Sequence, residues 1–402
     1  MQPVNHVIRS EEELLNHFGS QKLEIGNLQQ MEDLLEMEES SNRNLVSISQ
    51  EFVQRTKEFT FNYGLIKNIY FISFLTNLTE LNLSYNQLSD ISCISKLKNL
   101  KKLILINNRI EDISALQSLL NLTYLNIFEI NLTSYTLALP NLVELLLSGN
   151  KLQDISGLQY SPKLETLRVY ETQTTDLQTI SQLFGLKVLD LSKNNITQIS
   201  YLSNFLDLQI LCLCENKQLQ NIGPLKFCTQ LTQLTIDETN IADIWPLQFM
   251  NNLQALYMNQ TQVIDLHPLQ YLYQLEDIYA NRTCITDVST LSKLTQLISL
   301  DFSFSKITNA ETLKHHKNFS EYNFSDQQVP TTDELKFYNK ILSVHSSQKQ
   351  ITKLIQAESR ASKFRESMTH QKQCIKQKIN EQIQHMNMKI EIIFSQNSYA
   401  DQ

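Results

Sequence analysis

The chain has 402 residues, 42% of them hydrophobic, and 34 Lys and Arg against 42 Asp and Glu give a net charge of −8. That is enough apolar material for a substantial core, while the acidic balance argues against a general nucleic-acid binder, which needs basic surface for the phosphates. Seven glycines and seven prolines argue against a long disordered linker or a collagen-like segment.

Residues 1–55 hold 10 acids and 4 bases. The opening residues, Met1 to Arg9, show no apolar leader, so no secretory signal is expected. Ser10-Glu-Glu-Glu13 forms a capping box ahead of Leu14, Leu15 and Phe18, and Leu28, Met31, Leu34 and Leu35 make a helical stripe. The segment therefore predicts an acidic N-terminal helical cap; an acidic interaction tail is the alternative. Apolar runs such as Ile69–Ile72 fall far short of the ~18 residues of a membrane helix. The cysteines Cys93, Cys212, Cys214, Cys228, Cys284 and Cys374 are scattered and read as reduced thiols of a cytoplasmic protein, with a nuclear location left open.

From residue 56 to 330 one frame recurs. Leu78-x-x-Leu81-x-Leu83-x-x-Asn86-x-Leu88-x-Asp90-Ile91 is followed 22 residues later by Leu100-x-x-Leu103-x-Leu105-x-x-Asn108-x-Ile110-x-Asp112-Ile113. The frame restarts at Leu122, Leu142, Leu164, Leu186, Leu208, Leu231, Leu253, Leu275 and Leu297, with one unit of 20 residues from Leu122 and one of 23 from Leu208. Counting the opening leucine as position 0, the leucines at positions 3 and 5 enter a core at strand period, and the side chains between them face outward. One unit cannot bury its own apolar face, but stacked units can. Position 8 is Asn at 86, 108, 150, 194 and 216, Thr at 172, 239, 261 and 283, and Ser at 305, a polar ladder serving the backbone. Ile130 breaks it in the shortened unit, where an irregular ladder is expected. About eight residues remain for the opposite side, and Gly223-Pro, Trp245-Pro and His267-Pro predict single 3₁₀ turns there.

The frame LxxLxLxxNxIxDIxxLxxL resembles the leucine-rich repeat family in its short, 22-residue intracellular form. The resemblance implies an α/β solenoid of about 12 repeats: a curved parallel β-sheet on the concave side and short 3₁₀ turns on the convex side. Similar proteins include regulatory subunits of type-one protein phosphatase and adaptors of the cytoskeleton and spliceosome. The bacterial surface internalins are similar in repeat, but they need an export signal and wall anchor that are not expected here.

After Pro330, Thr331-Thr-Asp-Glu334 offers a second capping box. Residues 331–402 carry 11 bases against 7 acids. Ala361, Phe364, Met368, Ile375, Ile379, Ile383, Met386, Ile390 and Ile393 step mostly by three or four, so 331–395 predicts a long amphipathic helix with an imperfect coiled-coil seam. It either self-associates, pairs with a partner helix or folds back on the solenoid; 396–402 reads as a disordered tail.

No phosphate-cradling, metalloprotease or hydrolase motif occurs. Asp90, Asp112, Asp154, Asp243 and Asp265 recur in frame and read as caps of the next turn. Cys212 and Cys214 lack a histidine and read as small surface side chains. No cofactor, metal or catalytic residue is expected, nor an enzyme. The informative surface is the concave one, at positions 2, 4, 6 and 7. Its acids outnumber its bases 11 to 4, and aromatics lie among them. The residues expected to bind a protein partner with basic surface are Tyr85, Tyr124, Phe128, Arg168, Tyr170, Glu171, Asp190, Asp237, Tyr257, Asp277, Tyr279, Asp301 and Phe304. Neither nucleic acid nor membrane is expected as a partner. The alternative is a structural or cytoskeletal component assembled through the C-terminal helix.

Overall fold

Alternation keeps just three residues of each unit extended, because the leucines at positions 3 and 5 must both point inward. The resulting strands, β1 to β14 in chain order, are Lys22–Glu24, Glu58–Thr60, Glu80–Asn82, Lys102–Ile104, Tyr124–Asn126, Glu144–Leu146, Thr166–Arg168, Val188–Asp190, Ile210–Cys212, Gln233–Thr235, Ala255–Tyr257, Asp277–Tyr279, Ser299–Asp301 and Glu321–Asn323. This computed structural model describes residues 22–24, 56–63, 66–174, 177–314, 316 and 321–324. The chain divides into two compact units, Met1–Val329 and Pro330–Gln402, and every described residue belongs to the first. The described strands form one parallel sheet in strict chain order. Equivalent positions pair in register, so Leu189 stands between Leu167 and Leu211. All three are fully buried, and each such leucine contributes about 1.5–3 kcal/mol by leaving water.

The predicted 3₁₀ turns are present on the opposite side, among them Ser92–Lys96, Ser200–Asn204, Gly223–Phe227 and Trp245–Phe249. Pro224, Pro246 and Pro268 open their turns, where a missing N–H costs nothing. The in-frame aspartates hold the turn entries, as expected. Asp90, Asp112, Asp154, Asp243 and Asp265 each accept the backbone N–H two residues on, at 2.7–2.8 Å.

The asparagine ladder also forms. Asn194 Nδ2 donates to the carbonyls of Val169 (2.6 Å) and Leu191 (3.0 Å). Thr239 and Thr261 keep half of the pattern, donating to the carbonyl three residues back at 2.7 and 2.8 Å. A second ladder, not anticipated above, uses the residue before the opening leucine. Asn99, Asn121, Asn141 and Asn252 donate to carbonyls of the preceding unit at 2.9–3.1 Å. Its signal is the recurrent Asn-Leu pair.

The shortened unit departs as expected, with a specific compensation. Ile130 is buried, and its N–H is accepted by Asn150 Oδ1 of the next unit at 3.1 Å. No 3₁₀ turn follows β5 in this unit; Tyr135, Leu137 and Leu139 alternate inward instead, and Ser134 bridges Asp154. The tighter path brings backbone against backbone at Gly157. A β-carbon there would lie 2.6 Å from Leu137 N and 2.7 Å from Leu137 O. Gly157→Ala is therefore expected to cost about 1–3 kcal/mol, read as a lower urea midpoint at unchanged slope.

At the N-terminal end the structure adds an element between the two expected helices. The three described residues of segment 1–55 are a strand, β1, paired in parallel with β2 through Leu23 and Phe59, and not part of a helix. An added strand satisfies the ladder groups that β2 would otherwise expose, which a helix cannot do. The expected helices around Leu14 and Leu28, the helix 331–395 and the tail 396–402 lie outside the described residues.

Candidate functional site

The outward positions of the sheet have two jobs, and the first is structural. The ladder side chain at position 8 takes the carbonyl of position 5, so the N–H of position 6 loses its sheet acceptor. Phe61 O accepts from Asn86 Nδ2 at 2.9 Å, and Ser84 N turns to Asn62 Oδ1 (3.0 Å) and Asn82 Oδ1 (3.1 Å). The same substitution recurs along the sheet. Ser192 N donates to Asp190 (3.1 Å), Asn259 N to Asp237 (2.7 Å) and Ser303 N to Asp301 (2.9 Å). Asp190 and Asp237 are also buried. Three of the acids expected to meet a partner thus accept backbone N–H groups, and two are not exposed as expected. Phe128 is a further correction, since it is buried in the wall of the shortened unit.

The remaining expected residues gather into local clusters. Glu80, Lys102 and Tyr124 share position 2 on adjacent strands, with Lys102 Nζ 3.5 Å from Glu80 and 5.6 Å from the Tyr124 ring centre. Lys193 lies over Tyr170 at 5.1 Å and between Glu171 (3.8 Å) and Glu215 (3.5 Å). Arg168 instead faces Asp190 across β7 and β8. Tyr257 and Tyr279 stack at 5.1 Å and 10°, as neighbours of one register should, with Asp277 on the same strand as Tyr279. Tyr85 stacks on Tyr63 at 4.6 Å and 7°, and Arg282 covers Phe304 at 5.0 Å. From sequence Lys193 counts as one of the four bases of this face but not as a binding residue, although Glu171, Lys193 and Glu215 recur at 22-residue spacing.

Position 7 is left-handed in unit after unit, with φ 62 at Tyr63, 59 at Tyr85, 54 at Glu171 and 57 at Phe304. Only glycine enters this region without strain, so the turn out of each strand fixes these side chains. Burial pushes up the phenol of Tyr85, to about 12 with help from Tyr63 and Glu129, and those of Tyr124 and Tyr170. It also raises the Asp277 carboxyl, which Ser299 partly offsets.

A family model described as leucine rich repeats (2 copies) matches residues 76–118. Those residues contain the unit from Leu78 and most of the next, and the same units continue through the sheet. The chain is built of leucine-rich repeats. An internalin (inlF) from Listeria monocytogenes is 29% identical, covering 78% of this chain and 92% of its own, with a TM-score of 0.70. A leucine-rich repeat protein of Leptospira interrogans shares the fold at 23% identity, 71% and 82% coverage and a TM-score of 0.58. So does the functional domain of InlJ from Listeria monocytogenes, which includes a cysteine ladder, at 23% identity, 70% and 66% coverage and a TM-score of 0.56. No curated protein sequence matches the chain.

Among the described residues of these leucine-rich repeats the cysteines form no disulfide, and Cys214, expected as a surface side chain, is buried. Cys93 and Cys228 donate to the carbonyls of Ile69 and Leu202, and burial pushes their thiols up to about 11 and about 12. Cys212 is raised as well, by burial first and then by Asp190. Thiols held protonated in this way are poor nucleophiles and poor metal ligands. Among the described residues no three His, Cys, Asp or Glu side chains converge on a metal position, and no helix is long and apolar enough to cross a membrane.

Proposed function

We propose that the protein is a non-enzymatic interaction scaffold whose sheet face binds a protein partner with basic surface. Leucine-rich repeat proteins generally mediate protein–protein contacts. The observation that carries the choice of face is how its cations are held. Lys102 and Lys193 lie against acids and rings of their own face, and Arg282 covers Phe304. The surplus acids set the field that a partner meets, while stacked Tyr257 and Tyr279 offer a rigid aromatic anchor. Regulatory subunits of the kind the 22-residue frame resembles, and surface proteins such as internalins, are both scaffolds of this type. The buried, protonated thiols of Cys93 and Cys228 support a reducing, cytoplasmic setting.

The test uses a partner captured with the full chain and then purified. Tyr257→Ala/Tyr279→Ala is expected to weaken its binding at least ~30-fold, the equivalent of a ~2 kcal/mol hot spot, with the thermal transition unmoved. Affinity is expected to fall as salt rises. Unchanged affinity and no salt dependence would remove the sheet face from the contact.

A further inference from the structure

Exposed apolar side chains concentrate away from the sheet face. Of the thirteen large hydrophobic side chains exposed among the described residues, only Tyr63 and Phe304 stand on that face. The densest group lies on the 3₁₀ side of consecutive units. Phe227 and Phe249 each end a turn, and Tyr271 follows at the same 22-residue step. They are 47%, 49% and 59% exposed. That equivalent turn positions stand side by side is seen in the neighbouring register, where Trp245 and His267 have ring centres 5.8 Å apart. Tyr273 extends the group, 6.5 Å from Tyr271. None of these rings serves the core, which the leucines at positions 3 and 5 and the inward residues of the turns already fill.

We infer that this aromatic strip is an interface with a second copy of the chain. Two properties choose that occupant. The first is charge. The sheet face is strongly acidic, so two copies repel each other there. The strip carries little charge: exposed Asp243 and Asp265, which accept the N–H of Trp245 and His267 (2.8 Å each), are opposed by Lys226, which lies over Phe227 at 4.9 Å. A surface with so little net charge meets its own copy with far less like-charge repulsion than the sheet face would, and a two-fold arrangement requires that self-complementarity. The second is area. A half-exposed aromatic ring offers about 100 Å². The five rings, with exposed Phe184 and Leu206 in the two preceding units, approach the roughly 800 Å² per partner of a standard interface. Stacked rings in two-fold register leave the sheet face of both copies open.

Sedimentation equilibrium of the full chain between about 1 and 100 µM decides the matter. The native chain is expected to dimerise reversibly, with little dependence on salt. Phe249→Asp/Tyr271→Asp is expected to weaken the dimer at least ~100-fold, since each change removes a ring and adds a charge in both copies. The circular-dichroism melt should stay in place, because both side chains are exposed. Phe249→Ser/Tyr271→Ser provides the same readout without added charge. A native chain that stays monomeric, or variants that dimerise as the native chain does, would overturn the inference. The second result would transfer self-association to another surface, residues 331–395 included.

Discussion

Asn150→Leu is expected to lower stability by at least about 3–5 kcal/mol. The side chain is almost fully buried and serves two units at once. Its Nδ2 donates to Ile127 O (2.8 Å) and Leu147 O (2.6 Å), and its Oδ1 accepts from Ile130 N (3.1 Å) and Leu132 N (3.0 Å). Leucine matches the volume and supplies none of these bonds. Each backbone group stranded in a dry environment costs about 1–3 kcal/mol. The neighbouring ladder position cannot compensate, because Ile130 has no polar group to offer. Urea unfolding measures the loss, with exposed Gln153→Leu as the control, expected within about 0.5 kcal/mol of the native chain. Similar midpoints for both variants would show that the ladder does not bear on stability.

Leu189→Ala is expected to cost about 2–5 kcal/mol. Leu189 lies in the middle of the sheet with no exposed surface, and Leu167 and Leu211 wall it in from both sides. In a close-packed interior those neighbours cannot collapse onto alanine, so a cavity adds to the lost transfer energy. The control is two residues away. Lys187 is exposed and pairs with Glu165 at 3.0 Å, an interaction worth less than about 1 kcal/mol in water. Lys187→Ala should therefore barely move the midpoint, and equal shifts would show that the inward and outward positions are misassigned. By alternation Asp190 would be the natural neutral neighbour, yet it accepts Ser192 N and is not one.

That contrast shows where sequence reasoning stops. The 22-residue frame determines which leucines are buried, where the turns fall and what Asp90 or Asp243 does, because each follows from a local period or cap. The stacking of Tyr257 on Tyr279 follows from the same period. What the frame does not reveal is competition for hydrogen-bond acceptors between units. Asp190, Asp237 and Asp301 look like surface charge until the position-5 carbonyl is found to be taken by the ladder, leaving an N–H that only they can receive. Phe128 looks outward by alternation, but the shortened unit changes the wall around it. β1 was hidden for a different reason: Lys22-Leu-Glu24 is too short to carry any period, and only the open ladder of β2 gives it a place.

In-register stacking makes the number of units a free variable. Each unit meets only the one before and the one after it, and every strand offers its successor the same template. Duplicating or deleting the block of 22 residues from Leu231 to Asn252 would leave each remaining joint of a kind already present. Such an event would shift one group of surface side chains against another by a single strand spacing, about 4.8 Å. The distance between the Lys193 cluster and the tyrosine pair could thus be reset in discrete steps by recombination alone, without altering a single core residue. Length changes of another size are absorbed on the turn side, as the 20-residue unit from Leu122 shows with its extended segment in place of a 3₁₀ turn. A gene encoding this architecture is a ruler on which recognition elements are re-spaced faster than they are reinvented.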